Sequence, residues 1–390
     1  MSDDEKSAAQ RTEELASAAS LVPLAIQPSL ESLPLPQLLT LCRTYKRVND
    51  ECKKIMTDIV RRVLTEEPRL PLSLLRDFSS APDVDKRLRN ACIQRLEEKK
   101  TLVCGIGYSL ALLDNGDVVG WNYYMHDVSQ ISGATQALPE GRIYVSLSAG
   151  TERSFGLLDD GRIVSWGVNP TWPVPALQQH RRYISVSAGF WHVLALLDNG
   201  HVVGWGHDTH GESSGGMDVL PPGRRYVAVS AGMSFSLGLL DSGQVVSWGN
   251  AMNVATDRPC IAISANFVTN DAVGLMDNGE PVGWGGEDFI DESVDVANYV
   301  RRRNLRLVSI SAGNPILGLL NNGQVISWAQ RTASGGHLRR GPLLEDGRYV
   351  SIAAGFQYSA ALTASGRIRF WNSALVESWD GTPPPGRKFV

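Results

Sequence analysis

The stretch LALLDNGHVVGWG, residues 194–206, contains the local signals that decide the fold. Two runs of aliphatic and β-branched residues flank Asp198-Asn199-Gly200, and such a turn between apolar runs is typical of a β-hairpin. The glycine supplies the positive φ angle that residues with a side chain resist. The second run ends in Trp205-Gly206. The sequence therefore predicts a tight hairpin with a tryptophan near the end of its second strand.

The same hairpin recurs in seven units beyond residue 100, each with a turn glycine five positions before a tryptophan. Successive tryptophans are 36 to 45 residues apart. The turn glycines are Gly116, Gly161, Gly200, Gly243, Gly279, Gly323 and Gly366. The tryptophans are Trp121, Trp166, Trp205, Trp248, Trp284, Trp328 and Trp371. A tryptophan beside small strand residues indicates a ring that fills the space between packed sheets, so we interpret all seven as structural wedges.

A further alternating strand precedes most hairpins, as in YVSLSAG at 144–150, and the fifth unit has Asn266 in place of the closing glycine. Each unit of about 40 residues is then a three- or four-stranded antiparallel sheet that cannot bury both faces alone. Radial stacking predicts an all-β, seven-bladed propeller over residues 101–390; a solenoid with capping units is the alternative. The tail PPPGRKFV at 383–390 repeats LPPGRRYV at 220–227, which predicts that it lies beside residues 99–105 and closes the ring.

These repeats resemble the regulator of chromosome condensation repeat, whose pattern combines glycine, histidine, Asp-Gly and Trp-Gly. The unit that resembles it most is SAGFWHVLALLDNGHVVGWGHDTHGE at 187–212, and the short period is also similar to the beta-lactamase inhibitor protein II relatives. The resemblance covers about three quarters of the chain and implies a seven-bladed propeller. The family histidine is present only as His192, which we interpret as a packed, hydrogen-bonded group rather than a base.

Residues 1–100 differ in composition, because all 38 glycines lie beyond them. Residues 1–20 are polar and predict a disordered tail, whereas residues 21–100 show helical spacing of apolar positions. The segment LPLPQLLTLCRTYKRVNDEC at 33–52 resembles a degenerate F-box. That resemblance implies an α-helical region that docks a Skp-type ubiquitin-ligase adaptor. The residues assigned to docking are Leu38, Leu39, Leu41, Cys42 and Val48.

Charge and cysteine content exclude several classes of partner. A net charge of −4 argues against nucleic acid and anionic membranes as partners. No run of 18 apolar residues and no signal-peptide pattern is present, so we expect no membrane association. Five scattered cysteines without a CxxC pair fit a reducing compartment, and we expect a cytoplasmic or nuclear monomer.

Catalytic and metal-binding patterns are missing from the sequence. There is no GxSxG, Walker or dinucleotide-binding motif, so we expect a protein without enzymatic activity or a cofactor. His201, His207 and His210 cluster, but a zinc site would need a fourth ligand; we interpret His207 and His210 as variable loop positions and expect no metal site. The aspartates of the hairpin turns are explained by turn chemistry. Arg301–Arg303 is assigned to a long loop between units that could contact an acidic partner.

A binding face is predicted from the loops that follow the SAG strands, because loops of one kind gather on one side of a propeller. The residues assigned to this face are Glu152, Arg153, Trp191, His192, Phe235, Phe267, Gln357 and Tyr358. Aromatic and arginine side chains on a rigid platform are typical of binding hot spots. We therefore expect a non-catalytic protein-binding propeller, with an F-box-like substrate receptor as one hypothesis. The other hypothesis is a guanine-nucleotide exchange factor for a small GTPase, an activity found in the family, or an enzyme inhibitor. No long insertion that could act as a wedge is apparent.

Overall fold

The structure, a computed structural model, describes residues 100–122, 134, 138–151, 153–167, 172–177, 180–250, 252–328, 338–340, 347–356, 358–372 and 378–390. The predicted tail at 1–20, the predicted helical region up to residue 99 and its adaptor-docking residues lie outside these ranges. The described residues form seven antiparallel sheets in which strands pair in chain order.

Sheets 1 to 4 each have three strands. Sheet 1 comprises β1 Leu102–Cys104, β2 Tyr108–Leu112 and β3 Val118–Asn122. Sheet 2 comprises β4 Tyr144–Ala149, β5 Arg153–Leu158 and β6 Ile163–Gly167. Sheet 3 comprises β7 Tyr183–Ala188, β8 His192–Leu197 and β9 Val202–Gly206. Sheet 4 comprises β10 Tyr226–Ala231, β11 Phe235–Leu240 and β12 Val245–Gly249.

Sheets 5 to 7 differ at their outer edges. Sheet 5 comprises β13 Cys260–Ala265, β14 Ala272–Met276 and β15 Pro281–Trp284, and is followed by helix α1 Glu287–Arg302. Sheet 6 comprises β16 Leu307–Ser311, β17 Ile316–Leu320, β18 Val325–Trp328 and β19 Arg339–Arg340. Sheet 7 comprises β20 Tyr349–Ala354, β21 Tyr358–Thr363, β22 Ile368–Asn372 and β23 Ser378–Gly381. A short 3-10 helix, Gly215–Met217, lies between sheets 3 and 4.

The predicted hairpins are confirmed in all seven sheets. The seven turn glycines have φ angles between +79° and +85°, which accounts for their invariant place in the repeat. In sheet 4 the register pairs Ser236 with Trp248 and Gly238 with Val246. A Cβ atom at Gly238 would collide with the Tyr226 ring, so the small residue in the middle strand makes room for an aromatic side chain.

The first strands of the sheets line a central cavity of about 110 Å³. Serines of one first strand accept hydrogen bonds from the backbone of the next. The pairs are Ala188 N to Ser148 Oγ (2.9 Å), Ala231 N to Ser187 Oγ (3.0 Å), Ala265 N to Ser230 Oγ (2.9 Å), Ala312 N to Ser264 Oγ (2.9 Å) and Ala354 N to Ser311 Oγ (3.0 Å). These serine hydroxyls hold the sheets together, so the cavity is structural.

The seven repeat tryptophans pack against residues of neighbouring sheets. Trp205 of sheet 3 packs in one buried cluster with Phe155 of sheet 2, with ring centroids 5.9 Å apart. Trp248 of sheet 4 likewise packs with Leu194 of sheet 3. Six of the seven are buried and Trp121 is half-buried. Because Trp121 of sheet 1 contacts Phe370 of sheet 7 at 4.9 Å, the ring is closed.

The chain end completes sheet 1. Phe389 bridges Leu113, its N–H donates to Gly366 O (3.4 Å), and Val390 N donates to Leu112 O (3.1 Å). Thr101 donates its hydroxyl to Val390 O. Phe389 and Val390 therefore occupy the places that Tyr183 and Ile184 have in sheet 3, and Thr101 continues the strand. The predicted position of the tail is confirmed.

The assignment of Arg301–Arg303 to a loop is wrong. Arg301 and Arg302 lie in the last turn of α1 and Arg303 is its C-terminal cap. Arg301 donates to both carboxylate oxygens of Glu280, at 2.8 and 2.7 Å, so its charge is already paired. Helix α1 links sheets 5 and 6 and lies within the ordinary spacing of the repeat tryptophans.

Candidate functional site

A cleft between sheets 2 and 3 opens where the loops follow the first strands. We call it the 2/3 cleft. Its lining comprises Gly150, Thr151, Arg153, Phe155, Trp172, Ala188, Gly189, Phe190, Trp191, His192 and Val193. Its volume is about 70 Å³, which is smaller than the several hundred Å³ of a typical small-molecule site and matches one or two side chains.

Trp191 is the exposed aromatic residue of this cleft. Its side chain is 48% exposed and meets the half-buried Phe190 ring at a centroid distance of 4.6 Å and an interplanar angle of 61°. The loop beneath it is fixed, because Phe190 N donates to Gly232 O (3.1 Å) and His207 N donates to Trp191 O (2.9 Å). A large ring is thus held in place before any partner arrives, which lowers the entropic cost of binding.

Arg153 supports the opposite wall of the cleft. It is 8% exposed, and its Nη1 donates to Trp172 O at 3.0 Å. The guanidinium carbon lies 5.6 Å from the centroid of the Trp172 ring, within cation–π range. Arg153 therefore positions Trp172 and has little surface left for a partner. Sequence reasoning did not single out Trp172, although a tryptophan outside the Trp-Gly register, between Pro170 and Pro173, was an available signal.

His192 is a structural group, as interpreted from the sequence. It is 1% exposed and its Nε2 lies 2.7 Å from Ser236 Oγ, which in turn donates to Glu212 O at 2.8 Å. Burial lowers the pKa of His192 to about 4, although the charges of Glu212 and Asp208 partly offset this effect. A hydroxyl beside an imidazole can be a nucleophile with its base, but here both groups are buried and the hydroxyl proton is committed to a carbonyl.

Glu212 joins sheets 3 and 4. Its carboxylate is buried and accepts hydrogen bonds from His207 Nδ1 and His210 N, both at 2.7 Å. Burial opposes ionisation, but these bonds outweigh it and lower the pKa of Glu212. Its carbonyl also accepts from Trp248 Nε1 at 2.9 Å. The two histidines considered as metal ligands therefore both face Glu212, and no group of three metal-ligating side chains occurs among the described residues.

A second cleft lies between sheets 4 and 5 on the same side of the ring. Its lining is Met233, Asn250, Met252, Val268, Thr269, Asn270, Asp271, Gly285 and Gly286, and its volume is about 510 Å³. Asp271 is buried and accepts from Thr269 Oγ1 at 2.8 Å. The two methionines add an adaptable apolar lining. The face that carries the 2/3 cleft therefore continues across sheets 4 and 5.

The predicted binding face is only partly formed by the residues assigned to it. Trp191 is exposed and Tyr358 is half-buried, whereas Glu152 and Gln357 lie outside the described residues. The assignment to an exposed face is wrong for four buried side chains: Arg153, His192, Phe235 and Phe267. Three of these begin the middle strand of a sheet, where the side chain turns towards a neighbouring sheet. The position of these residues after a loop does not show towards which side their side chains turn.

The opposite side of the ring carries paired charges. The turn aspartates form ion pairs with arginines of the segment that leads into the same sheet. The pairs are Arg142–Asp159 (3.6 Å), Arg181–Asp198 (3.5 Å), Arg224–Asp241 (3.7 Å), Arg258–Asp277 (2.9 Å) and, through the tail, Arg387–Asp114 (3.9 Å). Exposed pairs of this kind contribute little stability. Their charges are neutralised locally, which leaves no ring of free carboxylates at these turns.

Similarity to known proteins agrees with the repeat and the fold. Residues 183–212 match the Regulator of chromosome condensation (RCC1) repeat. The fold is similar to the CRINKLY WD40 ectodomain of the Arabidopsis thaliana receptor kinase ACR4, with a TM-score of 0.53 and 18% identity over 70% of this chain and 95% of that one. The ectodomain of the Physcomitrella patens receptor kinase CR4 gives a TM-score of 0.52 and 20% identity over 70% and 72%.

Saccharomyces cerevisiae Prp20p, whose binding to Gsp1p and histones has been described, gives a TM-score of 0.38 and 19% identity over 70% of this chain and 71% of its own. No curated protein matches the chain. The chain is an RCC1-like repeat propeller with seven sheets. No helix among the described residues is long and apolar enough to cross a membrane.

Proposed function

We propose that this protein is a non-catalytic interaction protein of the cytoplasm or nucleus whose propeller binds a protein partner at the 2/3 cleft. The observation that carries the proposal is Trp191, a large ring that is 48% exposed on a fixed loop beside Trp172. Tryptophan contributes disproportionately to binding energy where a partner can bury it. A cleft of about 70 Å³ fits a side chain of a protein better than a free metabolite.

The chemistry of the described residues supports a binding role rather than catalysis. The hydroxyl–imidazole pair of Ser236 and His192 is buried, and the serine hydroxyls of the central cavity are used between sheets. The polar groups nearest the 2/3 cleft are likewise engaged in holding Trp172 and sheet 4. The exposed surface of the cleft is therefore aromatic, which suits recognition of an apolar or proline-containing segment.

The finer proposal is that the protein is a substrate receptor of a ubiquitin ligase. Residues 21–100 would dock a Skp-type adaptor through Leu38, Leu39, Leu41, Cys42 and Val48, while the propeller selects the substrate. The F-box resemblance of residues 33–52 supports this division. The alternative is a small-GTPase exchange factor or an enzyme inhibitor, for which Prp20p with its Gsp1p binding is a precedent in a similar repeat protein.

One capture experiment tests both the binding site at the 2/3 cleft and the docking of an adaptor. Full-length protein and its Trp191→Ala, Met217→Ala and Leu41→Asp variants serve as baits in extracts of the source cells, with quantification of cross-linked partners by mass spectrometry. We expect Trp191→Ala to lose the propeller partner by about tenfold or more, because hot-spot tryptophans commonly contribute 2 kcal/mol or more. Met217→Ala is the matched control, since Met217 is exposed but does not line the cleft.

Binding of the adaptor is measured with the same baits and is independent of binding at the 2/3 cleft. We expect Leu41→Asp to lose a Skp-type adaptor while keeping the propeller partner, and Trp191→Ala to show the reverse. A full-length bait that captures no adaptor rejects the receptor proposal. Accelerated nucleotide release from a captured small GTPase would favour the alternative. Partners that bind equally to all four baits would refute the 2/3 cleft as the binding site.

A further inference from the structure

Helix α1 covers the outer edge of sheet 5 with one side. Phe289, Ser293, Val296 and Val300 are buried there. A Cβ atom at Gly283 in β15 would collide with Ser293 Oγ, and the same oxygen accepts a hydrogen bond from Trp328 Nε1 of sheet 6 at 3.3 Å. This inner side protects an edge strand that would otherwise expose unpaired backbone groups. The fold therefore explains the inner side of α1 completely.

The outer side of α1 carries two aliphatic residues that the fold does not use. Ile290 and Val294 are 40% and 53% exposed, and four residues separate them, so they are neighbours on the helix surface. Val294 is the most exposed large hydrophobic residue in the described part of the chain. Singly scattered exposed residues need no explanation, but two adjacent ones form a continuous ridge.

A row of carboxylates borders this ridge. Glu287, Asp291 and Asp295 follow one another at intervals of four residues and are exposed, as is Asp288. No cation among the described residues lies within ion-pair distance of any of these four. The aspartates of the hairpin turns, in contrast, have an arginine of the same sheet as a partner.

This arrangement is unfavourable for the isolated helix. Like charges four residues apart destabilise a helix, and the helix dipole favours acidic residues only in the first turn. Glu287 and Asp288 occupy that turn, but Asp291 and Asp295 lie beyond it. The carboxylates of the row repel one another, and the adjacent aliphatic ridge is exposed to water. A positively charged partner with its own apolar stripe would reduce the repulsion and bury the ridge.

We propose that the outer side of α1, formed by Glu287, Ile290, Asp291, Val294 and Asp295, docks a basic amphipathic helix of a protein partner. The charge of the carboxylate row sets the sign of the partner's charge. Ridges at intervals of four residues are those that a second helix packs against, so a helical segment matches the spacing better than an extended one. This surface is separate from the 2/3 cleft, and the inference does not depend on what that cleft binds.

The probe is a fluorescein-labelled synthetic peptide of about 18 residues, five helical turns, with leucines at alternating three- and four-residue steps and lysines beside them. One control peptide has glutamate at every lysine, and a second has serine at every leucine. Binding to the full-length protein is followed by fluorescence anisotropy at low and physiological salt. We expect the lysine–leucine peptide alone to bind, with an affinity that falls as salt is raised.

Variants locate the binding site. We expect Asp291→Asn/Asp295→Asn to weaken binding about fivefold, in the range of two exposed ion pairs, and Val294→Ser to weaken it about threefold. Asp218→Asn and Val219→Ser are matched controls, because both residues are exposed and adjacent near the 3-10 helix. These controls are expected to leave the affinity unchanged.

Thermal denaturation separates docking from a structural role. Removing like charges from the row should leave the melting temperature of Asp291→Asn/Asp295→Asn unchanged or slightly higher, while its peptide affinity falls. Absence of binding by the lysine–leucine peptide, equal binding of the glutamate peptide, or equal losses in the Asp218→Asn control would each refute the proposal.

Discussion

At the scale of single residues, equivalent positions of the repeat have different functions. Arg153, His192, Phe235 and Tyr358 each begin the middle strand of a sheet, yet their environments differ. Phe235 fills apolar space, Arg153 holds Trp172, and His192 bonds Ser236. Within the described residues, Nδ1 of His192 has no hydrogen-bond partner. An uncharged imidazole tolerates this environment, whereas a protonated ring would carry an unpaired N–H donor in a buried site.

The environment of His192 predicts a pH dependence of stability. Its pKa is about 4 in the folded protein against 6.5 for an ordinary histidine, so the unfolded chain binds the extra proton first as the pH falls. The folded state therefore loses stability as the pH falls from about 6.5 towards 4, by roughly 2 kcal/mol between pH 7 and pH 5. Urea unfolding at both pH values measures this loss.

His192→Phe provides the comparison, because phenylalanine occupies the equivalent position in sheet 4 as Phe235. In the variant, the difference in unfolding free energy between pH 7 and pH 5 should be smaller by most of the roughly 2 kcal/mol attributed to His192. An unchanged difference would mean that other groups cause the loss.

At the scale of elements, each repeat tryptophan joins two sheets. Trp248 is 3% exposed, packs with Tyr226 at a centroid distance of 5.9 Å, and donates its indole N–H to Glu212 O. Glu212 itself belongs to the loop after sheet 3, and the same carbonyl accepts from Ser236. One ring therefore combines apolar burial with a hydrogen bond across the boundary between sheets 3 and 4.

We expect Trp248→Ala to destabilise the protein by about 3–5 kcal/mol, since it leaves a cavity between two sheets and removes one of the two hydrogen bonds to Glu212 O. Chemical denaturation measures the change. Trp191→Ala removes an equally large ring from the surface and is expected to change stability by less than about 0.5 kcal/mol. Similar costs for the two variants would contradict the assignment of Trp248 as a wedge and Trp191 as a binding residue.

At the scale of the whole molecule, the ring has a distinct seam at sheet 1. Five boundaries between sheets have a serine that accepts a backbone N–H across the boundary. The equivalent positions in sheets 1 and 7 are Val103 and Ala353, which have no hydroxyl. The tail supplies other contacts there, because Phe389 and Val390 pair with sheet 1 and Phe389 N donates to sheet 7.

Phe389→Ala is therefore expected to open the seam. Phe389 is 4% exposed and packs against Trp121 at 5.5 Å, so its truncation should cost about 3–5 kcal/mol and speed proteolysis near sheet 1. Lys388→Ala is the control, because Lys388 is exposed and contributes its backbone carbonyl to Asp114 N. Limited proteolysis and thermal denaturation compare the two, and a stable Phe389→Ala protein would show that the tail is not needed for closure.

Local sequence was enough to establish the seven hairpins and the position of the tail. A turn and an alternating strand depend on residues within about ten positions of one another, and the repeat shows each signal seven times. The recurrence of GRRYV as GRKFV was a second local signal, and it located the tail correctly.

Packing between sheets decided the rest. Phe235 is buried because it packs against sheet 5, and Phe267 is buried beside the central cavity, whereas Trp191 is exposed. Nothing within their own segments distinguishes these cases. Arg301–Arg303 were assigned to a loop, whereas they end helix α1, whose buried residues Phe289, Val296 and Val300 pack in one cluster with Trp328. The 2/3 cleft likewise needs residues from two sheets. Its aromatic surface exists because the packing of sheet 2 against sheet 3 brings Trp172 and Trp191 into one cleft.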